Sequence, residues 1–200
     1  MMLPTHALVG LAVATPVAVV VPDLATPVLA GALLGGVFPD FDVVATHRRT
    51  LHYPTGYMLA SIPAVALALV VGTPGIVAVA SLLVAAAVHC RMDRYGGSHE
   101  FRPWERKSDR AVYDHVKGRW LRAKRWTRYD GAPEDLLVAS VAGGVALLAL
   151  SGSFRTITAI TLGVAVVYTA FRRRLSDLAG MMVGRFRAAT ELLRIGCGRR

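Results

Sequence analysis

Seven side chains able to bind a metal ion occur in four places along the chain. They are His6, then Asp40 and Asp42 in Pro39-Asp40-Phe41-Asp42, then His47 and His52 in His47-Arg48-Arg49-Thr50-Leu51-His52, and finally His89 with Asp93. Imidazole and carboxylate together are the donors of a zinc, manganese or iron centre. His89 and Asp93 stand at i and i+4, one face of a helix turn, which is how metal sites in helical bundles are often seeded. Asp40 and Asp42 are alternate residues after a proline, and an extended turn there would project both carboxylates to one side, towards one cation or two. Acids oppose the macrodipole at a helix C-terminus, so their presence there asks for a function. Imidazoles that are neutral near pH 7 suit His47 and His52 as ligands. Arg48 or Arg49 could clamp an anion, because guanidinium matches phosphate bidentately. Thr5 precedes His6 as a candidate helix N-cap.

Each group also has an ordinary reading. His89 could snorkel at an interface while Asp93 pairs with Arg91 or Arg94. The acids could merely follow a helix terminator, and the arginines could be membrane anchors. The functional reading gains weight from where the groups fall, because each lies at the end of an apolar segment and not inside one. His99 and His115 sit away from any such end and are left outside the site.

Those segments are six: Ala7 to Val21, Leu24 to Phe38, Tyr57 to Val71, Gly75 to Cys90, Leu136 to Leu150, and Thr156 to Phe171. Hydrophobic residues make up 54% of the 200, with charge confined to a few blocks, which points to a membrane protein. No run alternates with period two as a barrel strand would. Turn chemistry separates them at Pro22-Asp23, Gly72-Thr73-Pro74-Gly75 and Ser151-Gly152-Ser153. Gly31, Gly35, Gly36, Gly143 and Gly144 suit close helix packing in lipid. The fold class expected is all-α, a polytopic membrane protein of about six transmembrane helices. Cys90 and Cys197 suggest neither a disulfide framework nor a thiolate zinc site. The opening residues lack a basic stretch, so no cleaved signal peptide is expected.

Basic residues set the orientation. If all six runs span, the loops at residues 22–24, 72–75 and 151–155 share one side and hold only Arg155 of the 23 Lys and Arg. The positive-inside rule makes the other side cytoplasmic, with both termini inside the cell (inner) membrane. All seven candidate ligands then fall at the cytoplasmic ends of the first four spans, although none entered the orientation argument.

The chain divides into a four-span region over 1–95 carrying the motifs, a basic aromatic cytoplasmic loop over 96–134, a two-span hairpin over 135–171 and a basic amphipathic tail over 172–200. Between Arg91 and Glu134 lie 12 Lys and Arg and all three Trp. Val112, Val116 and Trp120 recur at i, i+4 and i+8, which predicts an amphipathic helix. Basic and aromatic residues together mark either an anionic lipid surface or a nucleic-acid surface. The tether between two spans favours membrane lipids over nucleic acid. Leu175, Leu178, Met182, Phe186 and Leu193 predict an interfacial helix in the tail.

The motifs Thr5-His6, Leu34-Gly35-Gly36-Val37-Phe38-Pro39-Asp40-Phe41-Asp42, His47 to His52 and His89-x-x-x-Asp93 resemble the YdjM-like family, also described as LexA-binding, inner-membrane-associated, predicted metal-dependent hydrolases. The likeness covers residues 1 to 95. In the third motif Thr50 stands one place earlier relative to the second histidine than in the family pattern. The resemblance implies metal-assisted hydrolysis at a membrane. In that reading His6, Asp42, His47, His52, His89 and Asp93 are ligands to a divalent ion (zinc, manganese or iron), and Asp40 is a ligand or the general base. Arg48 would steady an anionic transition state. A location at the membrane edge suggests a lipid-borne ester or phosphoester. The contrasting expectation is a non-enzymatic scaffold or transporter-like bundle whose His and Asp are structural or carry ions.

Overall fold

The computed structural model describes the backbone of residues 1–197 and the side chains of residues 1–178 and Met181. Six α-helices form the body: α1 (Leu3–Val20), α2 (Ala25–Val37), α3 (Pro54–Val71), α4 (Pro74–Tyr95), α5 (Pro133–Ala149) and α6 (Gly152–Cys197). Each begins one to four residues before, or one after, the apolar run that announces it. Proline explains much of this, since α3, α4 and α5 start on Pro54, Pro74 and Pro133, where a missing amide hydrogen costs nothing and φ is preset. Thr5 lies inside the first turn of α1, with Met2 at the cap position, so it is not the cap its position suggested.

Among the described residues, five segments are long and apolar enough to cross a membrane: Leu3–Val20, Pro22–Val44, Pro54–Val71, Pro74–Tyr95 and Gly152–Leu178. The second joins α2 to the short 3-10 segments on either side of it. At 17 residues, with Glu134 and Asp135 in its first turn, α5 is the expected span that is absent from these five. Of the tail positions expected to form an amphipathic stripe, Leu175 and Leu178 are exposed on α6, while Met182, Phe186 and Leu193 lie outside the described side chains.

The helices run alternately up and down, with α2 packed on α4 and α1, α3 on α4, and α5 on α1 and α6. One apolar cluster joins Leu11, Ala14 and Ala18 of α1 to Val28, Leu29 and Ala32 of α2 and Val77 and Ala85 of α4. A second joins Leu8 of α1, Ala139 and Ala142 of α5 and Ala165 of α6. None of the residues of α3 is buried, and Leu69 and Val70 at its end are more than four-fifths exposed.

The α2–α4 contact is close because α2 carries glycine where α4 approaches. A Cβ on Gly31 would strike the backbone of Ala78, and one on Gly35 the backbone of Leu82. Gly36 likewise faces α1, where a Cβ would lie 2.7 Å from the His6 carbonyl oxygen. This is the small-residue packing expected where backbones meet.

The predicted helix through Val112, Val116 and Trp120 is not found. Residues 110–122 form an antiparallel hairpin, β1 (Arg110–Asp114) and β2 (Arg119–Arg122), pairing Val112 with Leu121 and Tyr113 with Trp120. Gly118 takes a positive φ of 61° in the turn, a conformation that breaks a helix and suits a hairpin. Val116 is therefore an exposed turn residue and does not share a face with Val112.

Candidate metal centre

Four elements deliver the site to one end of the bundle. His6 comes from the first turns of α1, Asp40 from the 3-10 segment Phe38–Val44 that follows α2, His52 from the residues just before α3, and His89 and Asp93 from the last turns of α4. Pro39 contributes to the change of helix type after α2, because it provides no amide hydrogen to continue the ladder, although Phe38 before it keeps α dihedrals (φ −53°, ψ −43°). A 3-10 helix turns once per three residues, so Asp40 and Asp42 diverge where an extended turn would have aligned them. His52 sits between them, with Nδ1 2.9 Å from Asp42 Oδ2 and Nε2 3.6 Å from Asp40 Oδ1.

One donor atom from each of Asp40, His52, His89 and Asp93 lies within 4.8 Å of the others. Nε2 of His52 is 3.1 Å from Asp93 Oδ2, and Nε2 of His89 is 3.4 Å from Asp40 Oδ1 and 3.5 Å from Asp93 Oδ2. Tetrahedral bonds of ~2.0–2.1 Å place neighbouring ligand atoms ~3.3–3.4 Å apart. These carboxylate–imidazole distances are close to that edge.

The far nitrogens explain the orientation. Nδ1 of His89 donates to the Gly36 carbonyl at 2.8 Å, and Nδ1 of His52 donates to Asp42 at 2.9 Å. With Nδ1 protonated, a neutral ring carries its lone pair on Nε2, aimed in both residues at carboxylate oxygens. His89 Nε2 is buried with no hydrogen-bond partner. A lone pair facing anionic oxygens inside a protein repels unless a proton or a metal cation lies between them, and histidine ligands typically give their other N–H to a carbonyl or carboxylate. The residues present therefore fit a divalent metal ion.

The remaining expected ligands stand behind this group. Asp42 accepts five hydrogen bonds: His47 Nδ1 and the Arg48 amide reach Oδ1, while the Arg49 amide, the Leu51 amide and His52 Nδ1 reach Oδ2. Its oxygens are thereby occupied in shaping the loop from 42 to 52. His47 bonds Asp42 at the edge of the loop and is one-third exposed. His6 stacks on His89 with ring centroids 3.7 Å apart and reaches Asp93 Oδ1 with Nε2 at 3.1 Å. Asp93 thus divides its labour. Oδ2 faces His52 and His89, whereas Oδ1 meets His6, the Met1 nitrogen at 2.8 Å and Arg48 at 3.2 Å.

Arg48 is buried, pairs with Asp93 and donates to the Gly97 carbonyl at 2.9 Å, while its Nε has no partner. Its φ of 60° is a costly left-handed conformation for a non-glycine residue, one that the Asp42–amide bonds hold in place. Burial opposes a charge on His52, but the hydrogen bonds to Asp42 and Asp93 outweigh it and raise the pKa above the ordinary histidine value. Of the four clustered residues, His52, His89 and Asp93 are shut from solvent, and Asp40 alone keeps an exposed edge, at 16% of its side chain. Beside the loop, His47 and Arg48 line a cavity of about 530 Å³ shared with Ser98, Tyr168 and Arg172.

Two supports of the site were not foreseen. The hairpin grips the loop through Tyr113 N–H to the Arg48 carbonyl at 2.9 Å and His115 Nε2 to the Arg49 carbonyl at 2.7 Å. Asp114 at the end of β1 accepts from Thr55 Oγ1 at 2.8 Å, tying the hairpin to α3. Burial raises the Asp114 pKa, but the Thr55 hydroxyl and the Lys117 and Val116 amides outweigh it and lower the value. His115 therefore acts on the loop from outside the cluster, and His99, which bonds the Arg110 carbonyl, stays within the hydrophilic segment. No protein-family model, curated protein or solved structure matches the chain.

Proposed function

We propose that the chain is a membrane-bound, metal-dependent hydrolase that works at the cytoplasmic edge of the membrane on a lipid-borne ester or phosphoester, the activity its likeness to the YdjM-like family implies. The observation that carries the reading is the shared orientation of His52 and His89. Each commits Nδ1 to a fixed acceptor and turns Nε2 onto the Asp40 and Asp93 carboxylates. Two imidazoles and one carboxylate make a catalytic donor set with a position left for substrate or water. His52, His89 and Asp93 fill that role. Bound there, zinc, manganese or iron supplies Lewis acidity, polarising the bond under attack and acidifying water.

Asp40, on the open edge, accepts the proton that attacking water gives up. His6 backs His89 through their stack, and Asp42 and His47 fix the ring of His52. Arg48 holds Asp93 and adds positive charge beside an anionic transition state. The lipid-borne substrate is supported by what surrounds that edge, since Phe41, Val43 and Val44 are all more than half exposed. An apolar chain would rest against them while its polar group reached Asp40.

The test is hydrolysis of an ester and phosphoester panel by purified, metal-loaded protein in detergent. Activity is expected on at least one amphiphilic member, and Asp40→Asn should lower it ~10²-fold, the low end for a lost general base, with metal content and thermal stability near wild type. A loaded wild type inert on the whole panel would favour a scaffold or ion-carrying bundle with a closed site. One observation stands on that side: His52, His89 and Asp93 are each at most 1% exposed.

A further inference from the structure

Helix α4 has two working faces. His89 and Asp93 belong to the cluster, whereas Ala87, Val88, Arg91 and Arg94 line a separate cavity of about 1010 Å³. That cavity lies between α4, the start of α3, the hairpin and α5. Its walls are sorted by height. Charged residues occupy the end nearest the hairpin, with Arg91, Arg94 and Lys117 as the cations. One to two turns deeper the lining is apolar, formed by Val9, Met58, Val88, Leu137 and Val138.

Asp114 accepts from Thr55 and from two backbone amides, and Lys117 stands 3.8 Å from it at the exposed rim. Glu134 pairs with Arg128 at 2.8 Å through Oε1, while its Oε2 is buried without a hydrogen-bond partner among the described residues. Arg91 and Arg94 take part in no ion pair among the described residues, and Arg94 Nε is buried without a hydrogen-bond partner. Thr127 lines the same cavity, is 4% exposed and leaves Oγ1 unpartnered. Buried polar groups left without partners are costly, and Arg94 Nε and Thr127 Oγ1 with Glu134 Oε2 describe the missing group as an anion with several oxygens that also carries a hydroxyl to donate. The apolar depth below excludes a bare ion as the whole ligand, since it would leave most of the cavity unfilled.

We infer that this cavity binds one anionic phospholipid, with its phosphate on Arg91, Arg94 and Lys117, the Thr127 hydroxyl on a phosphate or ester oxygen, and an acyl chain against Val88, Leu137 and Val138. The lipid is a resident ligand held on the opposite face of α4 from the metal centre. Its binding does not depend on the hydrolase reading.

The experiment titrates purified protein in detergent with phosphatidylglycerol and phosphatidylcholine of equal chain length, and reads bound lipid by native mass spectrometry. One phosphatidylglycerol should bind in preference to phosphatidylcholine. Arg94→Gln and Lys117→Gln should each weaken it by ~10-fold, the scale of one charge-assisted hydrogen bond. Leu137→Trp, which fills the apolar end, should also displace it. Lys117 lies at the exposed hairpin tip, so its replacement keeps the test valid if Arg94→Gln fails to fold. Arg119→Gln, a change on β2 outside the cavity, and His52→Ala in the metal cluster should leave binding unchanged. Equal retention of the two lipids overturns the proposal. So does an Arg119→Gln loss as large as that of Lys117→Gln, which would reveal diffuse surface attraction. Displacement by inorganic phosphate alone at the lipid's own concentration would reduce the site to an anion site and overturn it as well.

Discussion

His52 is held between two acids that do different work, and the difference is set by which of its nitrogens each one meets. Asp42 takes the Nδ1 proton and three backbone amides, so it determines both the tautomer and the loop. Asp42→Asn would present an amide NH₂ to donors that need an acceptor, and metal affinity should fall by ~10–100-fold, as when the outer partner of a ligating histidine is lost. Equilibrium dialysis against a competing chelator reads that change. His52→Ala and His89→Ala should each lose most bound metal by elemental analysis, while His99→Ala should match wild type. Equal metal in all four proteins would remove the centre. At this scale the sequence was informative about membership and silent about rank. His89 and Asp93 were legible because i, i+4 spacing on a helix fixes a common face. The separate duties of Asp40 and Asp42 were not, because Pro39 ends α2 but is as compatible with an extended turn as with the 3-10 turn that forms.

Placing these side chains depends on how closely α2 approaches α4, and that spacing is set by two glycines. Gly31 and Gly35 leave no room for a Cβ against Ala78 and Leu82, whereas Gly144 on α5 and Gly163 on α6 meet nothing within 4 Å. Gly35→Ala must push the helices apart. It should cost about 1–3 kcal/mol, the usual range for overpacking, and it should also move the Gly36 carbonyl away from the His89 Nδ1 that it orients. Metal binding should therefore fall along with the melting temperature. Gly163→Ala, in open space, should preserve both. If Gly35→Ala lowered the melting temperature and left metal affinity intact, the helix contact would be structural only. The helices themselves were legible, since apolar runs bounded by Pro and Gly leave few other options. The hairpin was not. Val112, Val116 and Trp120 fit a helical period, but Gly118 and the pairing of β1 with β2 prevail, and the bonds from the hairpin to Arg48 and Arg49 join residues more than 60 positions apart. Periodicity carries no record of such contacts.

For the whole molecule, the cluster, the hairpin and the start of α5 share one end of the bundle, and the short connections at 21–24, 72–73 and 150–151 occupy the other. Met2 N–H reaches Asp135 at 2.8 Å and Tyr168 reaches Asp130 at 2.6 Å, so α1, α5 and α6 are tied together at the end that carries the cluster. Among the described residues, Arg155 is the only Lys or Arg in or beside those far connections. If the bundle lies across a bilayer, this distribution makes the metal end cytoplasmic. Reporters inserted after Asp23, Thr73 and Ser153 should then read external, and those after Arg49 and Trp120 cytoplasmic. The position after Thr73 decides most, because it follows α3, which has no buried residue. Were α3 to lie along the membrane surface instead of crossing it, Thr73 would read cytoplasmic and α4 would have to begin on that side. His89 and Asp93 would then be carried to the opposite face from His6 and Asp40, and no four-residue centre could form. An external reading at Thr73, combined with loss of metal in His89→Ala, would fix the crossing of α3 and the position of the centre in the same molecule.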